Sequence, residues 1–409
     1  MPRLWLINQF ANTPDLPGHT RQYELAAGLV QAGWQVEVFA SDFNLTQRRY
    51  RRLRGLRLWA REQPAGIRWT WLWVSPYRRN DWRRQLNMLS FCAHLLVHLL
   101  PRGVLARCRG RGPSVILASS PQLPAAWTCL WIARVLGVPF VAEIRDLWPQ
   151  VLIDQGGKRP DSPLVRLLAA MERQVYAGAC RVVVLAKGAQ AYVTDRGARQ
   201  TAWLPNGPDL EQFALQPLPR GGDVFELLYA GAHGEANGLE HAVEAARLLE
   251  RSQPGRFRWA FVGDGPLKPA LMARAASVAS VVFEPPLAKQ LMPARLAAAD
   301  AMLLSLEDVP LFRYGVSPNK LYDAYALGRP VVTTVPGAIN QEVQHHQLGV
   351  VAPPGDPQAL AQAVADLAAL PWPERQAMGQ RARQLAEQIY GRQRVIARYD
   401  TLLREVLQP

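Results

Sequence analysis

Apolar and polar positions follow two alternating patterns along the chain. Short, nearly continuous apolar runs are typical of strands buried on both faces, and they alternate with segments whose apolar residues recur at helical spacing. The predicted strands are residues 3–8, 36–40, 115–118, 139–144, 182–185, 225–230, 259–262, 301–305 and 331–334. Strands that alternate with helices predict parallel, doubly wound sheets, and therefore the α/β fold class.

The helix pattern is clear at the beginning and near the end of the chain. Thr20 is suited to cap a first helix that Gly33 ends, with an apolar face made of Tyr23, Ala26, Ala27 and Val30. Further helices are predicted at residues 125–136, 239–249 and 394–407.

The chain has 409 residues, which exceeds one typical core, so two domains are expected. A segment rich in Pro and Gly separates two halves that each begin with a strand. We therefore predict an N-terminal Rossmann-like domain, a linker, a C-terminal Rossmann-like domain and a final helix, at residues 1–205, 206–223, 224–390 and 391–409.

Composition is that of a folded intracellular protein. Hydrophobic residues make up 49% of the chain and charged residues 20%, which provides core material and argues against disorder. The four cysteines have neither metal-site nor disulfide spacing, so a reducing compartment is expected. Met1 leads almost directly into the first strand, so we expect no secretory signal peptide.

The net charge of +14 is concentrated near the N-terminus, where the first 120 residues contain 18 arginines and six acidic residues. One arginine cluster spans residues 48–61, and a second, at residues 78–84, is interleaved with Trp73, Tyr77 and Trp82. The apolar run Leu86–Leu100 that follows is predicted to be too short to cross a bilayer.

Three explanations of this basic region remain open. Arginines mixed with aromatic residues beside an apolar helix suit an anionic membrane surface. Nucleic acid would also bind such a region, and a solvated basic face in an arginine-rich chain, which has only five lysines, is the third explanation. We expect membrane association and no nucleic acid.

The segment 317–332 predicts a loop, a helix and a buried strand. Ser317 is expected to cap the helix, and Gly328 to end it. Lys320 and Asp323 are three residues apart and share a helix face. At a helix N-terminus this pair suits a nucleotide, with phosphate on Lys320 and ribose on Asp323. An exposed ion pair explains the same spacing equally well.

Ser-Pro-Asn-Lys-Leu-Tyr-Asp at 317–323 and Arg-Asp-Leu-Trp-Pro at 145–149 resemble family 4 of the retaining glycosyltransferases, which have the GT-B fold. The first motif is similar to the bacterial branch that adds N-acetylated amino sugars, including fucosamine, to surface polysaccharides. The resemblance implies two Rossmann-like domains that face each other across a cleft, with a final helix that returns to the first. It also implies nucleotide binding by Ser317, Asn319, Lys320 and Asp323. The wider family has glutamates at the positions of Gly315 and Asp323.

The loop between the first strand and the first helix contains Gly18, His19 and Arg21. Glycine lets backbone approach a ligand closely, and a helix N-terminus favours an anion. The resemblance places Gly18 near the donor diphosphate. We expect His19, Arg21 and Lys187 to contact the acceptor or a phosphate. An ordinary strand-to-helix loop is the alternative.

Arg145 and Asp146 follow the end of the strand 139–144, where ligands bind in open α/β sheets. They are either a structural ion pair or a catalytic pair. Arginine does not deprotonate, so Arg145 is no general base, but it could stabilise a leaving phosphate. Asp146 could orient an acceptor hydroxyl or accept its proton. The predicted catalytic residues are Arg145, Asp146 and Lys320.

Two glycine-rich loops of the second half complete the predicted donor site. The loop after Tyr229 contains Gly231 and His233, and its amides could cradle a phosphate. Many members of the glycosyltransferase family that this sequence resembles carry arginine and lysine in this loop. The resemblance places Gly263 and Asp264 against the base or ribose. Turn chemistry alone explains both loops equally simply.

The sequence contains no metal-ligand spacing, so we expect a metal-independent enzyme without a cofactor. The resulting hypothesis is a retaining transferase that moves a sugar from a UDP-sugar to a hydroxyl of an undecaprenyl-diphosphate-linked acceptor. It would act in O-antigen or capsule synthesis, at the cytoplasmic face of the bacterial plasma membrane. The alternatives are a GT-B nucleotide-sugar epimerase, which needs no acceptor, and a non-catalytic basic module.

Overall fold

A computed structural model describes residues 1–16, 20–55, 57–79, 81–120, 122–220 and 222–408. The chain divides into two compact units, one made of Met1–Leu204 with Ile396–Pro409 and the other of Pro205–Val395. Gly18 and His19 lie outside the described residues, so their roles stay predictions.

The first unit is built on a mostly parallel sheet. Its described strands are β1 (Arg3–Ile7), β2 (Gln35–Ser41), β3 (Phe43–Asn44), β4 (Arg49–Tyr50), β5 (Trp59–Glu62), β6 (Arg68–Leu72), β7 (Val115–Ser120), β8 (Phe140–Ile144), β9 (Arg181–Val184) and β10 (Thr201–Trp203). Eight of them form the sheet in the order β10-β9-β8-β7-β1-β2-β6-β5, in which only the described pair β5–β6 is antiparallel. The strand order reverses between β1 and β7, which is where ligands bind in doubly wound sheets.

The described helices of this unit are α1 (Arg21–Gln31), α2 (Trp82–His94), α3 (Leu100–Cys108), α4 (Leu123–Leu136), α5 (Gln150–Asp154), α6 (Pro163–Gly178) and α7 (Ala189–Asp195). Since β7, β8 and β9 are consecutive parallel neighbours, right-handed crossovers place α4 and α6 on one face of the sheet. Helices α2 and α3 pack against α4.

The second unit has a parallel sheet in the order β13-β12-β11-β14-β15-β16. These strands are β11 (Phe225–Ala230), β12 (Phe257–Val262), β13 (Val281–Glu284), β14 (Ala301–Leu304), β15 (Val331–Thr333) and β16 (Gly349–Val351). The described helices are α8 (Leu239–Ser252), α9 (Lys268–Arg274), α10 (Met292–Ala297), α11 (Pro310–Arg313), α12 (Asn319–Leu327), α13 (Ala338–His345), α14 (Pro357–Ala369), α15 (Trp372–Leu385) and α16 (Arg392–Val406).

Trp259, Phe261, Val243 and Val364 form part of the core of the second unit, between the sheet and helices α8 and α14. The order of the strands reverses between β11 and β14. The prediction of doubly wound α/β sheets is therefore confirmed. Helix α16 begins in the second unit and belongs to the first from Ile396 onward.

Helix α1 lies where it was predicted, but it is rotated. Thr20 precedes it without capping it through its side chain, and the Thr20 hydroxyl instead donates to Glu24 Oε1 at 3.0 Å. The prediction that Tyr23, Ala26, Ala27 and Val30 form the inner face is wrong except for Ala26, since the buried residues are Gln22, Leu25, Ala26 and Leu29. The polar Gln22 is buried because it joins the hydrogen-bond network described below.

The apolar run Leu86–Leu100 belongs to a continuous helix of 27 residues, Trp82–Cys108. The prediction that this segment is too short to cross a bilayer is therefore wrong, because the whole helix is long and apolar enough to cross one. Residues Leu95–Leu99 form a π-helical turn just before Pro101. Proline cannot donate to the preceding turn and its ring clashes with it, which accounts for this widening.

The three aromatic residues of the second arginine cluster differ in exposure. Tyr77 is buried against Phe43, with ring centroids 5.2 Å apart. Trp73 is half-buried against His94, at 5.9 Å. The prediction of an interfacial aromatic is therefore wrong for Tyr77, which belongs to the core, whereas Trp82 is exposed and Trp73 keeps a partly exposed ring.

Candidate active site

In the second unit, the loops that follow β11 and β14 meet where the strand order reverses. The Glu307 amide donates to Ala236 O at 3.1 Å. A Cβ atom on Gly238 would lie 2.9 Å from Glu307 Oε1, so a side chain at this position would obstruct the contact. Gly238 has φ +55° and directly precedes α8. The first turn of α8 therefore lies beside the carboxyl ends of two central strands.

The side chain of Lys320, in the first turn of α12, extends to the loop between β11 and α8. Its Nζ donates to Tyr229 Oη at 3.0 Å and to Asn237 Oδ1 at 3.2 Å, and lies 4.1 Å from the centre of the Tyr229 ring. The Tyr229 hydroxyl and the Asn237 amide both donate to Ala232 O, at 2.7 and 3.0 Å. These two bonds turn the remaining acceptor atoms of Tyr229 and Asn237 toward the lysine.

Both hydrogen-bond partners of Lys320 are neutral. Burial lowers the pKa of Lys320 to about 7, because desolvation penalises the ammonium form. A diphosphate beside Nζ would supply the negative charge that the partners lack. The site can therefore take up a proton as an anion binds.

His233 lies beneath the same loop and not on its surface. Its ring is fully buried, with centroids 6.0 Å from Phe283 and 6.5 Å from Phe261. Neither ring nitrogen has a hydrogen-bond partner among the described residues. Burial lowers the pKa of His233, and the charges of Lys268 and Lys320 lower it further. The predicted direct contact with the donor is not supported by this position, since a fully buried neutral ring does not meet solvent.

The glycines of the two loops allow close backbone contact. A Cβ atom on Gly263, which has φ +142°, would lie 2.0 Å from Gly231 O. A Cβ atom on Gly265 would lie 2.4 Å from His233 O. Gly263 therefore has a packing role beside its predicted donor contact, and Gly265 has the same packing role without such a prediction. Asp264 is exposed, and its Oδ1 accepts from the Gly265 amide at 2.8 Å.

Ser317 does not cap α12 as predicted, because the helix begins at Asn319 after Pro318. Its hydroxyl accepts from the Asn206 amide at 3.1 Å and lies 2.9 Å from Tyr322 Oη. The Asn206 side chain donates to Ser317 O at 2.7 Å. Ser317 thus ties the segment that enters the second unit to the start of α12. Asn206 was missed because Asn-Gly indicates a turn in sequence.

Asn319 is exposed in the first turn of α12. Asp323 is half-buried one turn after Lys320. Gly328 ends the helix with φ +68°, in the left-handed conformation predicted for it.

The first unit has a buried polar network where its own strand order reverses. Glu143, at the end of β8, is fully buried. It accepts from Ser119 Oγ at 2.5 Å, from Gln22 Nε2 at 3.4 Å and from Arg21 at 3.4 Å. The Tyr399 hydroxyl of α16 donates to the same carboxylate. Four donors from three elements, α1, β7 and α16, therefore converge on one charge.

Burial alone would raise the pKa of Glu143, but the charges of Arg21 and Arg145 and the hydrogen bonds from Ser119 and Tyr399 bring it below its ordinary value. Arg145 donates to Gln22 Oε1 at 3.3 Å. Burial lowers the pKa of Arg145, and Glu143 opposes that shift. Arg145 is thus held by a buried network at the carboxyl end of β8, and the neighbouring Asp146 is exposed.

Arg21 and Lys187 differ in their surroundings. Arg21 donates to Glu143, to Tyr399 Oη at 3.1 Å and to Leu204 O at 3.4 Å, so its guanidinium is engaged in the structural network. Lys187 is exposed, with Nζ 5.7 Å from the centre of the Trp203 ring. The described part of the chain contains no group of three or more His, Cys, Asp or Glu residues placed to hold a metal ion.

Family models match most of the chain in two pieces. Residues 18–207 match the glycosyl transferase 4-like domain, and residues 225–369 match glycosyl transferases group 1. The chain is a GT-B protein made of two glycosyltransferase domains. The resemblance to glycosyltransferases is thereby confirmed at the level of the enzyme class, and transfer of an N-acetylated amino sugar stays a prediction.

Curated relatives carry names from polysaccharide synthesis. WbjE of Pseudomonas aeruginosa, named as a glycosyltransferase, is 28% identical over 283 residues, which are 64% of this chain and 65% of WbjE. The colanic acid biosynthesis glycosyltransferase WcaL of Escherichia coli is 30% identical over 194 residues, which are 46% of this chain and 47% of WcaL. The chain thus spans between about half and two thirds of the length of these relatives.

Solved structures of the same fold cover the whole chain. Sucrose-phosphate synthase of Thermosynechococcus elongatus has a TM-score of 0.72 at 17% identity and covers 99% of each chain. HepE of Anabaena, solved with UDP, has a TM-score of 0.66 at 15% identity and covers 99% of this chain and 100% of its own. At such identities the likeness shows the fold alone, and these structures confirm the predicted GT-B fold.

Proposed function

We propose that this protein transfers an N-acetylated amino sugar from a UDP-sugar to a hydroxyl of a lipid-linked saccharide, with retention, in bacterial surface polysaccharide synthesis. The observation that carries the proposal is the placement of Lys320. It lies at the carboxyl ends of the central strands, in the first turn of α12 and beside that of α8, and its hydrogen-bond partners among the described residues are neutral. The names of the relatives and the UDP in the structure of HepE support the substrate classes.

In this proposal the diphosphate binds at the start of α8 and against Lys320, and Asp323 binds the ribose hydroxyls. The acceptor hydroxyl attacks the anomeric carbon as the bond to the β-phosphate oxygen breaks. The leaving phosphate takes the hydroxyl proton, and Lys320 stabilises the charge on UDP. Lys320 and the amides of α8 supply the positive potential from the chain, and catalysis without a metal ion remains a prediction.

Arg145 and Asp146 are proposed to serve the acceptor. Arg145 cannot accept a proton, so its role is to bind a phosphate of the lipid-linked acceptor or of the donor. The Glu143 network holds it in place through Gln22. Asp146, which is exposed, is proposed to orient the acceptor hydroxyl.

A thermal-shift titration with UDP, GDP, ADP and UDP-N-acetyl sugars tests the donor class. Binding to the folded state raises the melting temperature by mass action, so UDP and its sugars should stabilise the protein and ADP and GDP should not. Asp323→Asn and Asp323→Ala should weaken UDP binding by about 1–3 kcal/mol, since charged hydrogen bonds to the ribose are lost.

Asp366→Asn is the matched control, because Asp366 is an exposed carboxylate of the same unit on α14. Its UDP affinity should equal that of the wild type. Unchanged UDP affinity in both Asp323 variants would remove Asp323 from the site. Equal stabilisation by all three nucleotides, or by none, would contradict the proposed donor class.

A further inference from the structure

The outer side of the helical layer of the first unit carries large exposed apolar side chains. Six of them define what we call the outer apolar face, and they are Trp82, Leu89, Val97, Trp131, Val135 and Leu167. Trp82 is 67% exposed, Val97 74% and Val135 63%. Isolated exposed apolar residues are ordinary, but a group of this size on one side of a molecule marks an interaction surface.

The six residues lie on helices that pack side by side. Helix α4, which carries Trp131 and Val135, packs against α2 and α3 on one side and against α6 on the other. The Trp127 indole of α4 donates to Gln174 Oε1 of α6 at 2.8 Å. The outer apolar face is therefore one surface shared by neighbouring helices.

The helix Trp82–Cys108 has a second apolar side that already serves the core. Phe91, Leu95 and Leu99 are fully buried on it. A Cβ atom on Gly103 would lie 2.6 Å from the Leu136 side chain, so α3 and α4 are in close contact. The outer side chains are thus not needed for packing within the unit.

A buried polar contact fixes this helix to the unit. Asn87 Oδ1 accepts from Gln9 Nε2 at 2.7 Å, and its amide donates to Ser75 O at 2.6 Å. A helix that crossed a bilayer would lose these bonds and the packing of Phe91 and Leu95. The structure therefore favours a helix that lies along a surface over one that spans it.

The exposed charges on the helices that carry the outer apolar face are all positive, and Asp81, which precedes Trp82, is half-buried as the cap of α2. Residues 82–108 and 123–136 contain no aspartate or glutamate. Arg83 lies over the Trp82 ring at 5.6 Å, and Arg134 over the Trp131 ring at 4.7 Å. The glutamate of α6, Glu172, is buried. Apolar side chains and exposed guanidinium groups thus alternate on one face.

These features select one kind of partner. A second copy bound through the same face would bring arginine against arginine without a carboxylate to pair with. Single-stranded nucleic acid requires aromatic platforms for its bases, whereas leucine and valine make up four of the six residues of this face. An anionic bilayer accepts the apolar side chains below its headgroups and pairs its phosphates with the arginines.

We propose that the outer apolar face docks on an anionic lipid bilayer, with the helix Trp82–Cys108 parallel to the membrane plane. The leucines and valines insert below the headgroups, and Arg83 and Arg134 bind lipid phosphates. This inference uses the first unit alone and does not depend on the sugar-transfer chemistry proposed for the second.

Co-sedimentation of the full chain with vesicles tests the proposal. The wild type should bind vesicles of phosphatidylethanolamine and phosphatidylglycerol more strongly than vesicles of phosphatidylcholine. The triple variant Leu89→Gln/Val97→Gln/Val135→Gln should lower the partition coefficient by at least about tenfold, because full insertion of even one such side chain contributes a factor of that order. Arg83→Glu with Arg134→Glu should weaken binding mainly at low salt.

The matched control is Met272→Gln/Leu291→Gln, which removes two exposed apolar side chains of the second unit and should leave vesicle binding unchanged. A UDP-induced thermal shift that the variants retain shows that they fold. If UDP does not shift the melting temperature of the wild type, the proposed function is contradicted and the docking surface is not. Undiminished vesicle binding by the triple variant would overturn the docking surface. The docking surface would also be overturned if the wild type did not bind vesicles. It would equally be overturned if the wild type self-associated without lipid and the triple variant did not.

Discussion

Lys320 is surrounded by groups that accept its hydrogen bonds and do not neutralise its charge. Tyr229 and Asn237 hold Nζ in place, and burial brings the pKa of Lys320 to about 7, well below the value of an exposed lysine. An anionic ligand must raise this pKa, because it favours the charged form. Ligand affinity and protonation of Lys320 are therefore linked.

We expect the affinity for a UDP-sugar to fall as the pH rises above 7. Lys320 is protonated in the free protein below its pKa of about 7, so its contribution is fully present there. Above that pH the ligand must bind together with a proton, which weakens binding by up to about tenfold per pH unit. Isothermal titration calorimetry between pH 6 and 9 measures this slope and the uptake of the proton.

Lys320→Met supplies the control, since it keeps the side-chain length and removes the titrating group. Its affinity should be lower than that of the wild type at pH 6 and independent of pH. A UDP-sugar is the better ligand for this test, because its diphosphate carries no terminal phosphate that titrates near pH 7. A wild-type affinity that stays constant from pH 6 to 9 would show that Lys320 does not contact the ligand.

The sequence predicted Lys320 and missed the residues that tune it. A lysine three residues before a carboxylate in a helix that follows Ser-Pro is a local pattern. Tyr229 and Asn237 are 91 and 83 residues away, and they meet Lys320 only because β11 lies at the centre of the sheet. His233 shows the opposite error, since the sequence of a glycine-rich loop does not reveal which side chain turns inward.

At the scale of elements, one carboxylate connects a strand, two helices and a neighbouring strand. Glu143 of β8 accepts hydrogen bonds from α1, β7 and α16. Its charge is balanced by Arg21 and Arg145, which bring its pKa below the ordinary value despite burial. The arginine proposed to bind a phosphate is therefore oriented by the same group that fixes the last helix.

Glu143→Gln should lower the free energy of unfolding by about 3 kcal/mol at neutral pH, because it leaves Arg21 and Arg145 without their buried counter-charge. The loss should shrink as the pH falls below 4.5, the ordinary value of the Glu143 carboxyl. A depressed pKa contributes stability above the unfolded-state value, and that stability is lost as the carboxylate becomes protonated in the folded state. Urea unfolding at pH 7.5, 5 and 3.5 measures the difference.

Glu24→Gln is the comparison, because Glu24 is half-buried at the start of α1 and bonds Thr20. It should change stability by less than about 0.5 kcal/mol at every pH. If Glu143→Gln were as stable as the wild type at pH 7.5, the network would not depend on the charge of Glu143.

Element types followed from periodicity, whereas helix orientation did not. The apolar positions of α1 predicted an inner face one residue away from the observed one, because Gln22 is buried by hydrogen bonds that a hydrophobic pattern does not register. The helix Trp82–Cys108 is apolar on two sides, so its pattern has no single face and its length was underestimated. Packing on α4 decides which side is buried.

At the scale of the whole chain, the C-terminal segment belongs to the unit that contains the N-terminus. Tyr399 and Leu403 are fully buried in the first unit. The Trp34 indole donates to Asp400 Oδ1 at 2.6 Å. The absence of a side chain at Gly28 makes room for Ile396, whose Cδ1 would lie 2.7 Å from an added Cβ atom. Residues 396–409 therefore complete a core whose other members precede residue 205.

Deletion of residues 396–409 should destabilise the first unit and spare nucleotide binding by the second. The deletion uncovers the apolar surface beneath Tyr399 and leaves Glu143 without one donor, so the first unit should unfold at a lower temperature. The second unit keeps Lys320, Tyr229 and Asn237, and its UDP affinity should remain within about twofold of the wild type, since distant sites act independently. Calorimetry with and without UDP separates the two transitions.

Removal of residues 405–409 alone is the control for this deletion, since it leaves Tyr399, Asp400 and Leu403 in place and should change neither transition. Tyr399→Phe should reproduce part of the effect, because it removes the donor to Glu143 and keeps the ring. Loss of UDP binding in the longer deletion would mean that the donor site needs the first unit. An unchanged first transition would mean that α16 contributes no stability to the sheet beneath it, against the burial of Tyr399 and Leu403.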